Sequence, residues 1–472
     1  MHETRILSEY VAGLTLSDIP PEVVRRIKQL ILDQLACEVA GSTLPWTRAV
    51  YDATRLISGS GPSPVVVFGD LLPVDEAAFV NSALGHGTDF DEATLRTHPG
   101  SVVVPAAFAV AAMDPTVDGE KLLVAIAAGC EIMLRVTEAA MPALKDVRFH
   151  NTASSTGSFG AAAAVARACG LDPRTTEHAL AIAGYQSAGL MQHMVGGGSA
   201  RRLQTAIGAK SGVRAAWFAA NGLTGPTEIL EGSQGFLQSF AGEFDPSRLT
   251  DGLGESYLSS HPCLKRFSVK YRIHSTIDAL VALVERHHMS FDQIANIRVG
   301  VSESTRRAYG VDFEPAKAPD HSLATQAAQF SIRFAMAVVA KFGPAVLSNL
   351  GPAEFHDPDV LDLARRVDVY REPELEREPW MSWGSDVSVT MVDGHTVATN
   401  VARPLGSPEN PMGEADVEEK FHRLVDPVLG AEHAAAVVSA IWSLEAREPR
   451  ADILPRLVTT ETRDERAMTL TG

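Results

Sequence analysis

Residues 387–401 read VSVTMVDGHTVATNV, and apolar and polar side chains alternate on both sides of Asp393-Gly394. That is the pattern of two antiparallel strands joined by a tight turn, and Asp-Gly tolerates positive φ at both central positions of such a turn. The same period of two runs through IANIRVGVSES (294–304) and RRVDVYRE (365–372). These strands sit inside a chain whose remaining text is helical. The contrast sets the fold class as mainly α: a large all-helical domain with an inserted smaller α/β domain.

Working outward, the text from Pro20 to Phe240 reads as helix after helix. PPEVVRRIKQLILDQLACEVAG (20–41) follows Asp18 as a cap, has prolines in its first turn and closes at Gly41. KLLVAIAAGCEIMLRVTEAA (121–140) and GSFGAAAAVARACG (157–170) are apolar on nearly every side or built from Ala and Gly, as in central helices whose backbones pack closely. Beyond RPLGSPENP (403–411) the helical text returns in EADVEEKFHRLVDPVLG and AEHAAAVVSAIWSLEA. The expected division is residues 1–266 for the first part of the helical domain, 267–403 for the α/β insertion and 404–472 for the return.

A chain of 472 residues is long enough to bury two cores without staples. Its cysteines, Cys37, Cys130, Cys169 and Cys263, are far apart and form no C-x-x-C pair, which suits a reducing cytoplasm. The first residues show no basic segment leading into an apolar core, so no signal peptide is expected, and the uncharged stretch 178–200 is broken by Gln, His and Gly in a way that does not suit a bilayer. A net charge of -17 with no long basic run argues against nucleic acid as a partner. A locally basic pocket for a small anion stays compatible with that balance.

Most chemical motifs are absent. There is no H-E-x-x-H, C-x-x-C pair, EF-hand loop or G-x-S-x-G, and neither GGGSAR nor GAKSG has the spacing of a phosphate loop. GHGTDFDEATLRTHPG (85–100), however, gathers His86, Asp89, Asp91, Glu92 and His98 where a helix ends. A magnesium site like that of a diphosphate-ionising terpene synthase would need a second ligand cluster downstream, and none is found. What remains is histidine and cation chemistry, with His86, Asp89, Thr94 and His98 in this stretch, His150 in RFHNTASSTGSFG, Arg201 and Arg202 in GGGSARRLQ, and Lys265, Lys270 and His274 in CLKRFSVKYRIH as candidates.

Each of these residues also has a plain structural reading. Asp89 suits a helix cap, and His98 before Pro99 suits a buried ring bonded to backbone. His86 is expected to be structural, at a helix end where its charge suits the dipole. Asp91 and Glu92 are expected to be solvated or paired with a base such as Arg96. Arg202, Lys210 and Lys270 read equally as surface charges, and His274 as a packing residue.

ALGHGTDFDEATLRTHPGSVVVPAAFA (83–109) resembles the H-x-x-D-F-D-D…H-P-G…P-A signature of the MmgE/PrpD family, which contains 2-methylcitrate dehydratase, cis-aconitate decarboxylase and iminodisuccinate epimerase. The likeness extends in order through LILDQLACEVAG, FHNTASSTGSFGAAAAVARACGL, NGLTGPTEILEGSQGF, AQFSIRFAMAVV and SPENPMGEADVEEKF. It implies a helical domain with an inserted α/β domain, a homodimer, and chemistry with neither metal nor organic cofactor. It also implies a pocket between the domains holding Asp89, Thr94, His98 and His150, with Lys265 near the junction and Tyr309 as the pocket tyrosine. This chain departs from the decarboxylase-like members in having Arg201 where they have lysine and Lys270 where they have histidine. Its loop between Asp89 and His98 is one residue shorter, so Thr94 matches their threonine only across a gap.

The function expected from these residues is a cofactor-free lyase of a small di- or tricarboxylic acid, first of all a 2-methylcitrate dehydratase-like hydro-lyase. Forming a carbanion beside a carboxylate requires a base and fixed positive charge on the carboxylate oxygens. His98 and His150 would share proton abstraction and donation, Asp89 would orient one imidazole, and Arg201 and Lys265 would hold carboxylates. Lys270 in place of a titratable histidine ranks decarboxylation below dehydration, because lysine stays cationic unless buried. Epimerisation in the same site is a further alternative. A non-catalytic binding or assembly protein is the alternative of another class, and the presence of both His98 and His150 speaks against it.

Overall fold

The computed structural model describes residues 2–318, 320–376 and 383–459, so the end of the expected return segment, 460–472, lies outside the described residues. Helix α1 (Pro21–Gly41) has Pro20 at its N-cap with Pro21 at the first helical position. Asp18 does not cap it; its carboxylate instead accepts the Thr15 hydroxyl and amide in the turn before. Next come α2 (Val74–Gly87), α3 (Pro99–Met113), α4 (Gly119–Ala140), α5 (Gly157–Ala168) and α6 (Gln204–Ala220).

All fifteen residues of α3 except Met113 are buried, which explains why its text carries no polar face. The Ala/Gly text of α4 and α5 serves close backbone approach. A Cβ on Gly129 would stand 2.7 Å from the Gly160 carbonyl oxygen, so no larger residue fits there.

The polypeptide then builds a second, smaller core. Helix α7 (His274–His287) precedes strand β1 (Ile294–Val301), β2 (Val367–Arg371), β3 (Ser385–Met391) and β4 (Thr396–Val401). The sheet order is β2-β1-β3-β4. Strand β2 runs parallel to β1, with Ile297 opposite Val367, while β3 is antiparallel to both β1 and β4, with Ser388 opposite Arg298 and Ala398. The parallel pair needs the long helical crossover between residues 302 and 366, whereas β3 and β4 form the hairpin legible in the sequence. At its turn Gly394 takes positive φ (89°), and Asp393 does not.

Two separate apolar clusters follow. One runs from Leu7 to Leu264 and resumes from Met412 to Leu457; the other spans Phe267 to Val397. The returning helix α8 (Glu414–Leu429) packs on the first, where Lys420 is buried and its ammonium reaches Asp33 Oδ1 at 2.6 Å and the Phe90 carbonyl at 2.8 Å. Among the described residues no single helix is long and apolar enough to cross a membrane. The segments 88–98 and 263–274 lie where the two clusters meet.

Candidate active site

Helix α2 ends at Gly87, and Asp89 then adopts φ 53°, turning the chain out of the helix. This bend directs successive acids to different places. The Asp89 carboxylate turns toward cations: Lys265 Nζ donates to its Oδ1 at 2.8 Å and to its backbone oxygen at 2.7 Å, Arg201 Nη2 donates to Oδ2, and Lys270 Nζ stands 3.8 Å away. Burial alone would raise the Asp89 carboxyl, but Lys265, Lys270 and Arg201 outweigh it and hold it well below the usual carboxylate range.

Asp91 turns the other way, into a histidine pair. Its Oδ2 lies 2.9 Å from His86 Nδ1 and 2.9 Å from His98 Nδ1, and it accepts the Ser101 hydroxyl at 2.8 Å. The two rings meet edge to face with centroids 4.7 Å apart. His98 Nδ1 also lies 2.6 Å from the Glu92 carbonyl oxygen. Both neighbours of that nitrogen are acceptors, so Nδ1 carries the proton, and Nε2 is left to accept or donate one. Pro99 holds His98 off helical angles, at φ -137° and ψ 67°.

Glu92 is folded back over the start of α3, where its Oε1 accepts the Gly100 amide at 2.7 Å. A Cβ on Gly100 would come within 2.9 Å of Glu92 Oε2, so glycine permits the contact. Burial and the neighbouring Asp91 charge push the Glu92 carboxyl well above its usual range. Asp91 remains the ionised member: burial opposes its charge, but the two adjacent histidines, by electrostatic attraction and by their hydrogen bonds to it, hold its carboxyl well below the usual range. His86 is pulled down to about 4 by burial, against the attraction of Asp91, and so is neutral at physiological pH.

Beside His98 opens a cavity of about 410 Å³, lined from the helical domain by Ala93, Arg96, His98, Lys145 and Asp146, and from the smaller domain chiefly by Lys270, Arg272, Tyr309 and Trp383. Arg96 closes its guanidinium fork on Asp146, at 2.8 and 2.6 Å. Burial brings Lys270 down to about 8 despite the nearby Asp89 charge. Tyr309 packs edge-on against Phe330, and burial raises its phenol. The cavity is therefore cationic inside a chain of net charge -17.

Several expectations from the sequence need correcting. Asp89 does not orient an imidazole; Asp91 does, because the positive-φ bend at Asp89 sends the two carboxylates apart. Arg201 and Lys265, expected to hold substrate carboxylates, are buried and bonded to Asp89 instead. Thr94 Oγ1 accepts the Cys263 amide at 3.1 Å and tethers the two segments rather than lining the cavity. His150 also stands off the cavity lining, with Nδ1 bonded to the Gly189 carbonyl at 3.0 Å and its ring against Phe240.

Asp91 and Glu92 are fully buried rather than solvated, and Arg202 is buried over the Trp46 ring rather than on the surface. His98, Lys270 and Tyr309 do line the cavity. The sequence reading missed Lys145 and Arg272 altogether; for Lys145 the only available signal was a lone lysine in the short connection before His150. It also missed that His86, Asp91 and His98 bring their donor atoms within 4.8 Å of one another, close enough to hold an ion.

The MmgE/PrpD N-terminal domain matches residues 5–249, and the MmgE/PrpD C-terminal domain matches residues 267–445. A cis-aconitate decarboxylase-like protein of Aspergillus oryzae is 28% identical over 96% of each chain. The cis-aconitate decarboxylase of Aspergillus terreus is 28% identical over 94% of this chain and 93% of its own. The human cis-aconitate decarboxylase is 25% identical over 94% of this chain and 92% of its own.

Proposed function

Given that this chain belongs to the MmgE/PrpD family and is a lyase-type enzyme of small carboxylic acids, we propose that it decarboxylates an unsaturated tricarboxylic acid of the cis-aconitate kind. The observation that carries this reading is His98, whose Nδ1 is held by Asp91 and the Glu92 carbonyl so that Nε2 is the nitrogen left to carry a proton, beside a cavity walled by Lys145, Lys270 and Arg272. The cations take the substrate carboxylates. The bond to one carboxylate breaks, CO₂ leaves, and the electron pair stays on carbon, delocalised into a remaining conjugated carboxylate. His98, in its imidazolium form, then gives its Nε2 proton to that carbon. Ranking decarboxylation below dehydration rested on a permanently cationic Lys270, and burial brings that lysine down to about 8, where it exchanges protons near neutral pH.

Dehydration of a 2-methylcitrate-like hydroxy acid is the second reading. Lys270 favours it, since an ammonium of that acidity within the cavity suits protonation of a departing hydroxyl. Incubating the purified protein in D₂O with cis-aconitate, 2-methylcitrate and citrate, followed by NMR, separates the two. CO₂ release from cis-aconitate with one deuterium in the product is expected. Water elimination from 2-methylcitrate with cis-aconitate untouched would reverse the order.

A homodimer is part of the same proposal. Val147, Phe149 and Leu190, with Val195 in the short helix His193–Gly196, are all exposed, and the Phe149 carbonyl accepts the Met191 amide to join the two segments. Light scattering at micromolar concentration should report twice the chain mass, and a monomer would count against it.

A further inference from the structure

The cavity's cations differ in what they are already bonded to. Arg96 is closed on Asp146, Arg272 donates to Ser304 Oγ at 3.0 Å, and Lys270 lies 3.8 Å from Asp89 and 5.0 Å over the Phe330 ring. Lys145 is half-buried on the cavity wall, and among the described residues its hydrogen-bond partner is one backbone carbonyl, that of Arg96, at 3.2 Å. An ammonium has three donors, so one carbonyl leaves most of its capacity for whatever enters the cavity. The adjacent acid, Asp146, is turned to Arg96 instead.

The groups around Lys145 make permanent charge there costly. Arg96 approaches from the segment after Asp89, Lys270 and Arg272 from the smaller domain, and His193 from the loop beyond residue 190; His98 and Tyr309 share the cavity. Burial first, then repulsion from Arg96 and Lys270, brings the amine down to about 7, with Asp146 only partly opposing. An anion in the cavity reverses that balance, because it adds a negative charge beside the amine.

We propose that Lys145 is the specificity-determining cation of this cavity: it takes up a proton as it binds a second carboxylate of the substrate, and so selects di- and tricarboxylates over monocarboxylates. This rests on reading the cavity as the substrate site. It assigns Lys145 a part that the pattern of histidines and family cations does not.

The test uses binding rather than turnover. Calorimetry of the full chain with tricarballylate and with butyrate, at pH 7.5 in two buffers of different ionisation heat, gives both affinity and proton uptake. An amine brought down toward neutrality is partly unprotonated at pH 7.5, so the wild type should take up a measurable fraction of a proton through Lys145 on binding tricarballylate. Lys145→Arg should keep the affinity within a few-fold and lose that uptake, since a guanidinium does not titrate there. Lys145→Met should bind tricarballylate roughly ten- to a hundredfold more weakly, with butyrate changed far less.

Unchanged uptake in Lys145→Arg, or unchanged tricarballylate affinity in Lys145→Met with wild-type melting, would overturn the role of Lys145 and leave the cavity reading standing. If Lys145→Met does not fold, the arginine variant decides. A wild-type protein that binds no tricarballylate would remove the cavity reading itself.

Discussion

Asp91 Oδ2 stands 2.9 Å from His98 Nδ1, and this contact fixes which ring nitrogen faces the cavity side of the histidine. Asp91→Asn keeps the shape and removes the charge, and it offers an amide where Nδ1–H needs an acceptor. Turnover should fall by roughly a hundredfold or more with KM little changed, as expected when a histidine loses its orienting carboxylate. An equal loss in KM would mean that Asp91 acts on substrate binding instead.

His98 and His86 share that carboxylate and should behave differently. His98→Asn should cost roughly a hundredfold or more in turnover with melting temperature nearly unchanged, since its Nε2 serves chemistry. His86 is buried and neutral, so His86→Asn should lower the melting temperature more than the rate. Steady-state kinetics beside thermal melts distinguish them, and an active His98→Asn enzyme would place the chemistry elsewhere.

Asp89 balances a cluster of cations. Replacing it with Asn leaves Arg201 and Lys265 buried without a counter-charge, a loss on the order of 3–5 kcal/mol for a broken buried pair. Denaturant unfolding should show it. A variant of near wild-type stability would mean that the cations have another partner.

Glu38 carries a pH signature. Burial raises its carboxyl to about 8, against the lowering effect of the Gln34 amide, which donates to it at 2.9 Å. Its folded-state value lies above the unfolded one, so its contribution is fully present below about 4.5 and is lost as pH rises toward about 8. Glu38→Gln keeps the hydrogen bond and removes the titration. The variant should therefore gain stability relative to wild type across that window, with the difference vanishing at acid pH, and a pH-independent difference would contradict the assignment.

Activity should survive exhaustive chelation. His86, Asp91 and His98 bring donor atoms within 4.8 Å, but both Nδ1 atoms stand at hydrogen-bond distance from the same Asp91 oxygen. Turnover lost on chelation and restored by one divalent ion would make this cluster a metal centre.

Much of the fold was legible because local sequence periods reflect which faces are buried. The β3–β4 hairpin announced itself by alternation around Asp393-Gly394, and α4 and α5 by text that is apolar on nearly every side or built from Ala and Gly. The pattern 85–100 likewise marked the right neighbourhood, and the proline after His98 keeps that residue off helical angles, at φ -137° and ψ 67°, without making it fully extended. Which acid meets which base was not legible. That depends on the positive φ at Asp89, which parts two carboxylates only two residues apart, and on those at Leu95 and Arg96, which precede His98; one carboxylate meets Lys265 and Arg201, the other His86 and His98. Lys145 was invisible for the same reason: its role depends on Lys270 and Arg272, more than a hundred residues away, being folded against the same cavity. Sequence alone determined the elements, because burial along one helix or strand is a local pattern; only the tertiary structure decided the charge pairing, because Coulomb interactions depend on distance in space and not on separation along the chain.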